Sequence, residues 1–216
     1  IGATAAFVLG ASAASAATVV NGSFEDDAGP AQDGQEFNTL AGGPGSSWNV
    51  FDSLPGWTTT SGTGIEIQTA RTLTTIDPQH DDHYVELDSY SNSSMQQTIN
   101  FASTGSYLLS FWYSPRDSDA ASNGIDYSIG SLAGTVTGPD SGPPVISVGL
   151  WTLIEATFTI TTVGNHTLTF AASGTSNSYG GFIDNVSIAA VPVPAGGLLL
   201  LGALAGLAGL RRRKTA

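Results

Sequence analysis

Ser106-Tyr107-Leu108-Leu109-Ser110-Phe111-Trp112-Tyr113-Ser114-Pro115-Arg116 is the stretch whose reading decides the fold. Successive side chains of an extended strand point to opposite faces. Tyr107, Leu109, Phe111 and Tyr113 therefore share one side, which reads as core. Leu108, Ser110, Trp112 and Ser114 share the other. The same period of two recurs on either side of this stretch. In residues 83–88, Val85 and Leu87 point inward, while Tyr84, Glu86 and Asp88 point outward. In residues 151–160, Ile154, Ala156, Phe158 and Ile160 form the buried row. No window carries the 3.6-residue period of a long amphipathic helix between residues 18 and 190.

Clusters of Gly, Pro, Asp, Asn and Ser break the chain about every ten residues, which is the rhythm of an all-β sandwich. Strands are predicted at 17–20, 57–61, 64–68, 83–87, 95–101, 106–115, 126–129, 133–137, 151–162, 164–172 and 181–190. Residues 26–47 and 138–144 read as loops. The 216 residues suffice for one such domain plus signals at its ends. Cysteine is absent, so the fold must hold without disulfides. Of the six basic residues, four stand at 211–214, leaving only Arg71 and Arg116 in the body against eighteen acids. That is a formal charge of −16, which argues against nucleic acid and against docking on anionic lipid.

The two ends read as addresses. Residues 1–17 are apolar, Ala-rich and uncharged, with Ala-x-Ala patterns at 11–13 and 14–16, and read as the remnant of a secretory signal peptide. Residues 191–216 run Val191-Pro192-Val193-Pro194-Ala195, then an apolar span over 196–210 made of Gly, Leu and Ala, then Arg211-Arg212-Arg213-Lys214. A helix rising about 1.5 Å per residue crosses about 30 Å of hydrocarbon in some twenty residues, so 191–210 is long enough for one transmembrane helix. The basic cluster keeps its end in the cytoplasm and leaves the body, residues 18–190, outside. This tail resembles the PEP-CTERM sorting signal in its VPxPA variant, with Val193 where the founding motif has Glu. The resemblance implies a Gram-negative bacterium that makes exopolysaccharide, an exosortase-like membrane protease as partner, residence in the inner membrane, and later transfer to the cell surface or matrix.

A second resemblance covers residues 18–190. Asn21-Gly22-Ser23-Phe24-Glu25, Gly56-Trp57, Tyr84-Val85-Glu86-Leu87, Gln97-Thr98-Ile99, the 107–112 stretch, Trp151 and Phe182-Ile183-Asp184-Asn185-Val186-Ser187-Ile188 occur in the order seen in galactose-binding-domain-like jelly rolls. Those include carbohydrate-binding modules and "choice-of-anchor" surface domains. The resemblance implies that Glu25 and Asp184 meet near the first and last strands and bind a structural Ca²⁺. Read from the residues alone, Ca²⁺ would need six to eight oxygens. The other reading is that both carboxylates cap backbone N–H groups.

A saccharide needs a flat aromatic for its C–H face and polar groups for its hydroxyls. Trp112 and Tyr84 are expected to form the platform, and Glu86, Asp88 and Arg116 to supply the hydrogen bonds. Trp57, Trp48 and Tyr90 are expected near the rim. The competing reading pairs Arg116 with an acidic neighbour and leaves Trp112 as a cover on the sheet. Asp77-Pro78-Gln79-His80-Asp81-Asp82-His83 reads as an acidic turn before a strand, since consecutive strand residues cannot all reach one Zn²⁺ and no zinc spacing is present. No nucleophile elbow, P-loop or Cys nucleophile occurs. The expected function is non-catalytic binding of extracellular polysaccharide. A glycan-acting hydrolase and a purely structural surface protein are the alternatives.

Overall fold

The computed structural model describes residues 17–40, 47–70 and 76–192. The signal remnant up to residue 16, the sorting residues Val193 to Ala195, the span 196–210 and the basic cluster 211–214 lie outside the described residues. Among the described residues no helix is long and apolar enough to cross a membrane.

The body is an all-β sandwich of two antiparallel six-stranded sheets. Its strands are β1 (Trp48–Phe51), β2 (Ser53–Leu54), β3 (Trp57–Ser61), β4 (Ile65–Thr69), β5 (His83–Glu86) and β6 (Ser94–Phe101). They continue with β7 (Gly105–Ser114), β8 (Gly124–Ile129), β9 (Leu132–Val136), β10 (Thr152–Ile160), β11 (Gly164–Ser173) and β12 (Phe182–Ala190). The first sheet runs β1-β4-β5-β12-β7-β10 and the second β2-β3-β6-β11-β8-β9. From β5 onward the chain mostly crosses from one sheet to the other, as in a jelly roll; only the β8–β9 hairpin stays within a sheet. Strands β3 to β12 fall on predicted ranges.

Strand β7 shows why. It pairs along its length with β10, Thr152 opposite Tyr113 through Ile160 opposite Gly105, and with β12 on its other side. Its row of Tyr107, Leu109, Phe111 and Tyr113 is buried in the main core, as the alternation predicts. There it meets Ile99, Phe101 and Phe170 of the facing sheet. Phe111 stands edge-on to Phe170 at 5.0 Å and Phe101 edge-on to Tyr107 at 4.7 Å, the preferred aromatic geometry.

Three predictions need correction. Residues 17–20 form no strand; Val20 instead exchanges both backbone groups with the side-chain amide of Gln97, at 2.7 and 2.8 Å. The loop predicted at 26–47 is not free: Ala31, Phe37 and Leu40 are buried in the core, Phe37 in a short 3₁₀ turn, Phe37–Thr39. Strands β1 and β2 lie outside every predicted range.

The NGSFE segment docks by backbone rather than as a strand. Gly22 accepts a bond from Val186 N–H at 2.7 Å. A Cβ on Gly22 would sit 2.1 Å from the Val186 carbonyl, so only glycine fits this approach.

Candidate functional site

The two outer faces of the sandwich differ in chemistry. Outward on the second sheet stand Thr58, Gln96, Thr98, Thr167 and Thr169, with Asp126 as the charge on its strands, and Tyr127 is the aromatic residue that borders the cavity on that side. A shallow cavity of about 410 Å³ on that side is lined by Asp126, Ser128, Thr135 and Thr169 among others. Outward on the first sheet stand Trp48 on β1, Tyr84 on β5, Phe182 on β12 and Trp112 on β7, followed by Trp151 just before β10 and Leu153 within it.

The alternation gives the sides correctly but misjudges exposure. Tyr84, Glu86 and Asp88, predicted to face solvent, have no accessible surface. A second layer covers them. Ile76, Tyr84 and Phe182 form a small apolar cluster with Trp151 packed against it. Trp151 stands edge-on to Tyr84 at 5.8 Å, and its indole N–H donates to the Asp77 carbonyl at 2.8 Å. Tyr84 cannot be an open platform, and burial pushes its hydroxyl well above the usual range. Trp57 is also no rim residue. It is buried between Phe24 and Phe170, and its N–H donates to the Asn21 carbonyl at 3.0 Å. Trp112 and Trp48 remain half-exposed, and Tyr90 is 65% exposed with its ring 6.1 Å from Trp48.

Arg116 makes the internal pair that the competing reading foresaw. Its Nη1 donates to both oxygens of Glu86, at 2.8 and 2.6 Å, and to the Ser178 carbonyl at 2.9 Å. The side chain is 7% exposed and its Nε lies buried without a partner. The Tyr179 ring covers the guanidinium at 4.7 Å.

Two residues the sequence reading passed over complete the network. Glu66 sits directly opposite Glu86 across β4 and β5. The amide nitrogen of Gln68 donates to both, at 2.7 and 2.6 Å, and the Gln68 carbonyl accepts from Tyr84. Burial raises both carboxyls, and for Glu86 the charge of Glu66 adds to it while Arg116 opposes. The pair is sealed from solvent, so it offers no substrate the access a glycosidase dyad needs. The alternation of Ile65-Glu66-Ile67-Gln68 already holds the signal: two polar residues on the face opposite two core isoleucines.

Asp88 organises a loop. It accepts from Ser176 Oγ at 2.9 Å and from the backbone N–H groups of Asn177 and Ser178 at 2.9 and 3.1 Å. Asn92 adds a bond to Gly174 O, and Gly180 N–H donates to Glu86 at 2.7 Å. So fixed, Ser178 holds a left-handed backbone at φ 65°, a cost persisting only where the surroundings over-determine it. The loop presents Tyr179, 47% exposed, over Arg116.

Glu25 and Asp184 converge on one element, the turn at 79–83. Asp184 Oδ2 accepts from the N–H groups of Gln79 and His80, at 2.9 and 3.0 Å, and Oδ1 from Asn185 N–H. Glu25 Oε1 accepts from Asp82 and His83 N–H, at 3.0 and 2.9 Å, and Oε2 meets His83 Nδ1. Burial raises the Asp184 carboxyl to about 7, against the pull of those N–H donors. This is a set of donors aimed at two carboxylates. Calcium needs converging oxygens, and among the described residues no cluster of three or more His, Asp or Glu is placed to hold a metal. In this arrangement both carboxylates cap backbone N–H groups, which a Ca²⁺ would have to displace.

No family model matches the chain, and no curated protein matches it. Solved structures do. TmCBM61, determined in complex with β-1,4-galactotriose, aligns with a TM-score of 0.47 at 15% identity, over 62% of this chain and 88% of that one. The CBM35 module from Paenibacillus barcinonensis aligns at 0.41 and 20% identity, over 63% and 94%. The CBM6cm-2 module of Cellvibrio mixtus lichenase 5A, in complex with cellotriose, aligns at 0.41 and 17% identity, over 62% and 92%. At these scores the likeness adds nothing beyond the β-sandwich architecture already described.

Proposed function

We propose that this chain binds extracellular polysaccharide without acting on it, using the aromatic side of its first sheet and the loops beside it. The observation that carries the reading is the asymmetry of the sandwich. Half-exposed Trp48 and Trp112, and exposed Tyr90 and Tyr179, stand at one side, while the opposite face displays hydroxyls and amides. Flat rings of this kind take the C–H face of a sugar. Rings held in place before binding lose little conformational freedom on binding. Tyr179 meets that condition through the bonds from Asp88 and Glu86 to its loop.

The export and surface parts of the proposal rest on the two ends of the sequence. The apolar, uncharged start supports secretion. The span at 196–210 with its basic stop supports anchoring in the inner membrane until an exosortase-like protease acts.

Affinity electrophoresis through gels carrying neutral β-glucans, galactans or the producing cell's own exopolysaccharide tests the binding. Retardation is expected with at least one of these, reduced in Trp112→Ala or Tyr179→Ala at unchanged Tm. Equal mobility in every gel would contradict it.

A further inference from the structure

We infer that the bound saccharide is non-acidic, and that this module excludes polyuronates and other polyanionic chains. The inference rests on the binding proposed above and narrows its ligand class.

The argument begins with the cation count. Recognition of a sugar carboxylate, sulfate or phosphate in water needs a positive side chain with free donors, ideally a guanidinium fork. Among the described residues Arg116 is the only Lys or Arg. Its charge is offset by Glu86: Nη1 serves Glu86 and Ser178, Tyr179 closes over the guanidinium, and Nε is buried, so no open fork faces a ligand. The three histidines do not supply a replacement at this end of the sandwich. His83 belongs to the Glu25 turn, His80 pairs with Asp81, and His166 bonds the Thr162 carbonyl at 2.8 Å in the β10–β11 hairpin.

Two surface acids, Asp117 and Asp119, belong to the loops that carry or adjoin the exposed tyrosines. The Tyr90 loop and the Tyr179 loop are stitched together through Asp88 and Asn92. A third loop, 115–123, joins them: Thr175 N–H donates to Ala121 O, and Arg116 Nη1 to Ser178 O. This third loop carries Asp117 and Asp119 at or near the surface. Beneath them lies Asp88, while Glu86 is offset by Arg116. The rings thus sit in a negative field, on a body carrying two basic against eighteen acidic residues through position 190. Like charges within about 8 Å repel with little screening at physiological ionic strength. An uncharged chain feels none of this, and its stacking is unaffected.

The test compares chains of one backbone that differ only in charge. Polygalacturonate and its carboxyl-reduced form, and alginate and its carboxyl-reduced form, are titrated against the full chain. The protein is held in a zwitterionic detergent that carries no sugar. The neutral panel of the binding experiment is run alongside. The expected result is at least about tenfold weaker binding of each acidic chain than of its reduced partner at 10 mM salt. The gap should shrink at 500 mM, while binding of neutral chains changes less than about twofold. Asp117→Asn/Asp119→Asn should narrow the gap at low salt and leave neutral binding unchanged. An acidic chain bound as tightly as its reduced partner, or more tightly, overturns the inference and leaves the binding proposal standing. Failure of every neutral and acidic chain to bind overturns the binding proposal itself, and this inference with it.

Discussion

Glu66 and Glu86 face one another with a single amide nitrogen between them and one guanidinium beside them. Two buried carboxylates beside one cation hold their protons to higher pH than free carboxyls do, because burial disfavours the second charge. The sign of the pH effect follows. In the unfolded chain these groups ionise near the ordinary glutamate value of 4.5. In the fold they hold the proton to higher pH, so stability falls as pH rises from about 4.5 towards the raised folded values. Glu66→Gln keeps the shape and removes one ionisation. Its Tm should decline less than the wild type's between pH 5 and 8, and exceed the wild type's at pH 8. Parallel curves in thermal melts would show that the pair does not share a proton. Arg116 gives a second test at the same place. Arg116→Met leaves Glu86 buried without its partner and should cost about 3–5 kcal/mol in urea unfolding, partly restored by adding Glu86→Gln. Equal stability of Arg116→Met and wild type would mean that the pair contributes nothing.

Among the elements, the turn at 79–83 is held from two sides, by Glu25 and by Asp184. If N–H bonding is what those carboxylates do, EDTA should leave the calorimetric Tm unchanged. Asp184→Asn should then lower stability by about 1–3 kcal/mol, since an amide offers one accepting oxygen where both carboxylate oxygens now accept. A Tm that drops with EDTA and recovers with Ca²⁺ would restore the calcium reading. Trp57→Ala should cost about 3–5 kcal/mol, as expected for a large aromatic removed from a packed core. A loss below 1 kcal/mol would contradict its place in that core. The strands were legible because the period of two survives in eight- to ten-residue strands such as β6, β7 and β11. The site was legible only by side. Alternation assigns Tyr84, Glu86 and Asp88 to the outer face, but it carries no information about the layer above them. That layer is built from Ile76, Trp151 and the loop at 176–180, far apart in the chain. Trp57 failed for the opposite reason: a Gly-Trp pair at a loop looks the same whether its ring turns inward or outward.

For the whole molecule, charge and aromatic placement are the two facts that matter to function. The body's formal −16 favours solubility and self-repulsion, so raising salt from 10 to 500 mM should raise Tm, most at low ionic strength. The proposed address at the two ends is checked by the mass of the protein recovered from envelope and medium. A chain that keeps both ends uncut in every fraction would contradict processing. The central claim is that glycan meets the aromatic side of the first sheet, and the four tryptophans report on it directly. Their indole N–H signals, followed by NMR as a bound polysaccharide's oligomer is added, form a built-in map. Trp112 and Trp48 are expected to shift with saturation, while buried Trp57 stays where it was. If oligosaccharide saturates the protein and neither Trp112 nor Trp48 moves, the ligand sits elsewhere and the assignment of this face is wrong.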